Sequence, residues 1–135
     1  MLEEIISELA HLADLETYAC RVWRYQAAHS EMLIRFHKEQ EFDENSFFLL
    51  FSRVAYFEGP MVWKGVAFSI GAFEECKQTL ARLRIWKETW SDEIMKDVYR
   101  LYKLELDATQ VRIIASPMVD VGNWFDLPFT VQQSF

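Results

Sequence analysis

The chain has 135 residues and a net charge of −7, with 51% hydrophobic and 26% charged residues. That length is one ordinary domain, and that balance fills a core and excludes intrinsic disorder. The acidity repels phosphate backbones, and no basic patch with interleaved stacking aromatics offsets it, so nucleic-acid binding is disfavoured.

Leu2, Ile5, Ile6, Leu9 and Leu12 or Ala13 recur at helical spacing opposite Glu3, Glu4 and Glu8, which predicts a helix over 2–14. Residues 17–26 and 31–38 predict a hairpin around Ala27-Ala28-His29-Ser30. With Gln26 facing Glu31, Trp23 opposes Ile34 and Arg21 opposes Phe36. One face then carries Trp23, Tyr25, Met32, Ile34 and Phe36. The other carries Cys20, Val22, Arg24, Leu33, Arg35 and His37. Residues 39–46 form an acidic loop.

Residues 47–58 and 61–70 read as a strand pair joined at Gly59-Pro60. Pairing Glu58 with Met61 puts Leu49, Phe51, Phe57, Val62, Val66, Phe68 and Ile70 on one face. The opposite face still holds Phe48, Leu50, Val54, Tyr56, Met61 and Trp63, so neither face looks solvated. A second helix is predicted over 72–84, with Phe73, Cys76, Leu80 and Leu83 as its stripe. Ser91 reads as the N-cap of a third helix, with Asp92 and Glu93 in its first turn and Ile94, Met95 and Val98 as its stripe. Residues 101–106 and 109–116 form a last hairpin. A two-residue turn at Asp107-Ala108 aligns Tyr102, Leu104 and Leu106 with Val111 and Ile113, and puts Lys103, Glu105 and Arg112 on the polar face. Residues 117–135 are an irregular aromatic tail.

The expected architecture is α+β, a single domain over 1–135. It is a single layer of about six mostly antiparallel strands packed on N-terminal and central helices, in the order α-β-β-β-β-α-α-β-β. Such helices cover one face of the sheet, and the central pair is apolar on both. Each exposed large apolar side chain forgoes roughly 1.5–3 kcal/mol of burial. Half a dozen together approach the whole stability of a small domain, roughly 5–15 kcal/mol. The aromatic tail, a second copy of the chain or an apolar ligand must therefore cover the second face.

Phe48, Tyr56 and Trp63 are the candidate binding residues of that face. Arg53 and Lys64 share a face of the central pair, diagonally adjacent, and suit an anion or a carboxylate, against the simpler reading that they snorkel to water or pair with Glu58. Cys20 and His37 are directly cross-strand in the expected register, beside Arg24 and Arg35. A thiol so placed would be a nucleophile next to its base, although no acid to orient His37 is identifiable. Glu39, Glu41, Asp43 and Asn45 alternate like a calcium loop, but Glu44 and Leu50 stand where an EF-hand needs Gly and Glu. Lys77, Arg82, Arg84 and Lys87 complement the end of the second helix, and the Gly-rich loop that would cradle phosphate is missing.

Two cysteines are too few for a disulfide framework or a zinc site. The uncharged stretches 65–73 and 127–135 are too short for a membrane span, and Met1-Leu2-Glu3-Glu4 opens no signal peptide. The expected compartment is the cytoplasm, with no cofactor, no metal and no membrane or nucleic-acid partner. The favoured function is a non-enzymatic binding or assembly protein, homodimeric, whose acidic N-terminal half suits a basic protein partner. The second reading is a small apolar-ligand-binding domain with a cavity between sheet and helices, lined by Phe51, Phe68, Trp63 or Tyr56. The third is an enzyme dependent on Cys20 and His37.

Overall fold

The computed structural model describes residues 18–37, 47–65, 67–104 and 110–122; the predicted helix over 2–14 and the acidic loop over 39–46 lie outside them. In chain order the elements are β1 (Ala19–Gln26), β2 (Glu31–His37), β3 (Phe47–Phe51), β4 (Tyr56–Glu58), β5 (Val62–Lys64), β6 (Phe68–Ile70), α1 (Phe73–Arg82), α2 (Asp92–Met95), β7 (Arg100–Leu104), β8 (Arg112–Ala115) and β9 (Val119–Gly122). The fold is α+β and mostly antiparallel. The strands form two sheets rather than the expected single layer: five strands in the order β5-β1-β2-β3-β9, and four in the order β4-β8-β7-β6.

The expected pair 47–58 with 61–70 does not form. β3 pairs with β2 and β9, β4 with β8, β5 with β1, and β6 with β7. Between residues 47 and 70 the chain therefore changes sheet three times, after β3, after β4 and after β5. At the second crossing Gly59 takes φ 149°, a conformation open to residues without a Cβ, and Pro60 follows with no N–H to give a ladder. One side of this stretch is buried because the two sheets face each other. Leu49, Phe51, Val54, Phe57, Trp63 and Phe68 all enter one core with Cys20, Ile34 and Phe36 from the first sheet and Tyr102, Leu104 and Ile113 from the second. Phe48 and Leu50 turn to the outer face of the first sheet, with Leu33 and Trp23.

In the first hairpin Gln26 faces Glu31 as expected, but the register shifts by one at Trp23. Val22 then opposes Ile34, Arg21 opposes Arg35 and Cys20 opposes Phe36. A bulge turns every residue before it onto the other face. Cys20 and Val22 thus join Ile34 and Phe36 in the core, while Trp23 leaves it and lies under Arg35, whose guanidinium carbon is 5.0 Å from the indole centroid. The last hairpin has the expected register, with Tyr102 opposite Ile113 and Lys103 opposite Arg112; its turn is outside the described residues. The start of the predicted irregular tail is ordered as β9, the edge strand beside β3.

Helix α1 lies on the outer face of the second sheet. Cys76 and Leu80 pack there against Leu101 and Ile114, with Tyr56, Ile85 and Trp86 around them. Gly71, just before the helix, donates its N–H to the Leu101 carbonyl at 2.9 Å, and a Cβ there would stand 2.5 Å from Leu101 Cδ2. The helix closes with a Schellman motif: Ile85 N–H bonds the Leu80 carbonyl at 2.8 Å and Arg84 N–H bonds that of Ala81 at 3.0 Å. Arg84 holds the left-handed position at φ 61°, where glycine is usual. Arg84→Gly is expected to stabilise the protein by about 1 kcal/mol, read as a rise in the urea midpoint, because Arg84 is exposed and a left-handed conformation costs a side chain roughly that much. The third predicted helix is a single turn, α2, in which Met95 is buried and Ile94 faces solvent.

Candidate functional site

The candidate binding residues Phe48, Tyr56 and Trp63 do not share a face. Phe48 is on the outer face of the first sheet, Trp63 is in the core between the sheets, and Tyr56 is on the outer face of the second sheet near α1. Arg53 and Lys64 are also separated. Lys64 sits opposite Ala19, at the end of the first sheet marked by His37. Arg53 follows Phe51, at the far end marked by Tyr25 and Met32, and it is an exposed residue with φ 53° in the crossing from β3 to β4. An anion held between Arg53 and Lys64 is excluded by that separation.

The shifted register also parts Cys20 from His37, which opposes Ala19. Cys20 is fully buried among apolar side chains, and that burial pushes its thiol well above the ordinary cysteine range. Burial, aided by the Glu75 carboxylate, likewise pushes Cys76 up to about 11. Both effects suppress the thiolate, the reactive form. Cys20 is therefore expected to be alkylated by iodoacetamide far more slowly than free cysteine at pH 8, and at the ordinary rate once urea unfolds the chain. Fast labelling of the folded protein would revive the catalytic reading. Among the described residues no group of His, Cys, Asp and Glu is placed to hold a metal ion, and no helix is long and apolar enough to cross a membrane. The four calcium-loop-like positions from Glu39 to Asn45 lie outside the described residues.

Of the predicted cationic cluster, Lys77 is held within the fold. Its Nζ is 2.8 Å from Asp92 and 5.1 Å from the Trp86 centroid, which ties α1 to α2. Glu75 on α1 draws in Lys103 at 2.8 Å and Arg112 at 3.6 Å, so the polar side of the last hairpin is bound to the helix. Next to it, Tyr56 donates to Glu58 at 2.5 Å. That hydrogen bond first, then burial and the carboxylate charge, hold the phenol above its usual range.

The feature with the shape of a site is at the end of the sandwich marked by Tyr25 and Met32. Tyr25, Met32, Val54, Ala55, Tyr56 and Phe57 line a shallow, open cleft of about 230 Å³ between the end of the β1–β2 hairpin and the crossing from β3 to β4. The crossing is fixed by Val54 N–H bonding the Ser30 carbonyl and Ala55 N–H bonding that of Ile114, both at 2.8 Å. Its neighbour on the other side is the β8–β9 link, anchored by Ser116 N–H on the Ser52 carbonyl at 2.8 Å. Tyr25 is 49% exposed at the mouth, and Met118 on that link is 71% exposed. Sequence reasoning placed Tyr56 in a binding surface but missed Tyr25, Met32 and Phe57 as its companions, because they come together only when the chain crosses between sheets. No family model matches the chain, and no match was found among curated proteins or among solved structures.

Proposed function

We propose that the chain is a non-enzymatic binding and assembly protein that pairs with a second copy of itself through this end of its sandwich. The observation that carries this reading is the combination of a hole and a knob on one end. The hole is the apolar cleft lined by Tyr25, Met32 and Val54 to Phe57; the knob is the exposed Met118 beside it, with the exposed edge of Tyr25 at the cleft's mouth. A two-fold interface needs a surface complementary to itself, and a cleft beside a protruding apolar side chain has that property. Buried aromatic anchors seated in such pockets dominate interface energies.

The size of the cleft favours a side chain over a free ligand. Small-molecule sites usually bury most of a ligand's surface in roughly 300 to 1,000 Å³, whereas this cleft, about 230 Å³, is shallow and open on one side, as a surface that receives a partner's side chain is. The burial of both thiols weighs against an enzyme built on cysteine chemistry. Light scattering on a sizing column should give the dimer mass at micromolar concentration. Tyr25→Asp and Met118→Asp should each give a monomer that keeps the wild-type far-UV circular dichroism spectrum, because both side chains are exposed, and melts lower by what association contributes. A monomeric wild-type protein would overturn the proposal.

A further inference from the structure

β5 is the terminal strand of the first sheet. Val22 N–H bonds the Met61 carbonyl at 2.9 Å and Gly65 N–H bonds the Tyr18 carbonyl at 2.8 Å, with Cys20 opposite Trp63 between them. Hydrogen-bonding directions alternate along an antiparallel strand. Met61, Trp63 and Gly65 therefore spend their backbone groups on β1, and Val62 and Lys64 aim theirs away from the sheet. Among the described residues no strand lies on that outer side. Val62 is 54% exposed, and Lys64 is exposed beside it. The edge thus offers two N–H donors and two carbonyl acceptors next to an apolar side chain.

The charges around the edge name the kind of strand it fits. Arg21 opposes Val62 on β1, and partners across an antiparallel pair share a face. Lys64, two residues from Val62, is on that face too. Both cations are exposed, and neither forms an ion pair with a described residue. We propose that the outer edge of β5 receives an extended acidic segment of a partner protein as an added strand. Backbone bonds to Val62 and Lys64 would hold it, and its carboxylates would face Arg21 and Lys64. A second copy of β5 fits less well. Two-fold pairing of this edge would gather two arginines and two lysines on one face with no acid between them, and like charges at such range repel. The inference is independent of the cleft, which lies at the opposite end of the first sheet.

The probe is a fluorescein-labelled peptide of about eight residues alternating Glu and Val, a typical strand length, titrated with the full chain and read by anisotropy. The peptide is expected to bind, with affinity falling as salt rises, because exposed charges are screened. Arg21→Glu with Lys64→Glu is expected to weaken binding by about tenfold or more. Val62→Pro removes an outward N–H that the β1 ladder does not use, and is expected to abolish binding while the melting temperature stays within a few degrees. A Lys-Val peptide of the same length should not bind. The proposal is overturned if the Glu-Val peptide fails to bind the wild type, if the double charge reversal leaves its affinity unchanged, or if Val62→Pro converts a dimer to a monomer. The last result would assign the edge to a second copy. Tyr25→Asp leaves β5 untouched, so loss of the dimer in that variant with peptide binding retained separates the two proposals.

Discussion

Phe51→Ala is expected to cost about 3–5 kcal/mol of stability, in the range for buried aromatics cut to alanine. Phe51 is almost wholly buried in the core between the sheets, with its ring edge-on to Tyr102 at 5.2 Å. Tyr102 is in turn fixed by its hydroxyl donating to the Ser116 carbonyl at 2.8 Å. Phe51 opposes Met32 on one side and Val119 on the other, so its loss loosens three strands of the first sheet and their contact with the second. Val62→Ala, at an exposed position, is expected to cost no more than about 0.5 kcal/mol. The comparison is pointed because a flat hairpin over 47–70 puts Phe51 and Val62 on the same face. Urea unfolding of the two variants separates the architectures. A large gap supports two facing sheets, and similar costs would mean that the residues share one environment.

The parts of the fold legible in the sequence are those decided by local chemistry. Ala27-Ala28-His29-Ser30 was readable as a turn, and the register of Tyr102 with Ile113 followed from alternation together with a two-residue turn placed at Asp107-Ala108. The stripe Cys76 and Leu80 gave the buried side of α1. The bulge at Trp23 also left a trace. Tyr18, Cys20 and Val22 are apolar at even positions, whereas Trp23 and Tyr25 are apolar at odd ones. That change of phase is what an inserted residue produces, and reading the strand with one constant period put Cys20 beside His37 instead of Phe36.

What was not legible was the distribution of 47–70 between sheets. A run apolar on both faces is equally consistent with a central strand covered on both sides and with short strands shared by two sheets, because hydrophobic pattern reports burial and not the partner. Of the second face of that run the other sheet takes up Val54 and Trp63, whereas Phe48 and Leu50 are buried on the outer face of the first sheet and Met61 is exposed. The cleft at the end marked by Tyr25 and Met32 was hidden for the same reason. Tyr25 and Tyr56 are 31 positions apart, and only the crossings that set β3 in one sheet and β4 in the other bring their surroundings together.

The helix offers the second large effect. Leu80→Ala is expected to cost about 2–5 kcal/mol, whereas Leu83→Ala, one turn later in the same predicted stripe, should cost no more than about 0.5 kcal/mol. Leu80 is completely buried against Leu101 and Ile114, and Leu83 is exposed. The difference follows from where the helix stops. Leu83 is the C-cap, and the left-handed Arg84 behind it turns the chain so that Ile85, not Leu83, meets the Leu80 side chain. The hydrophobic contact that accompanies a Schellman motif thus takes the place that helical periodicity assigns to Leu83. Equilibrium denaturation followed by far-UV circular dichroism measures both variants. Equal losses at the two positions would mean that α1 continues past Arg82 and lays Leu83 on the second sheet. A loss confined to Leu80 would locate the docking of the helix in Cys76, Leu80 and Ile85.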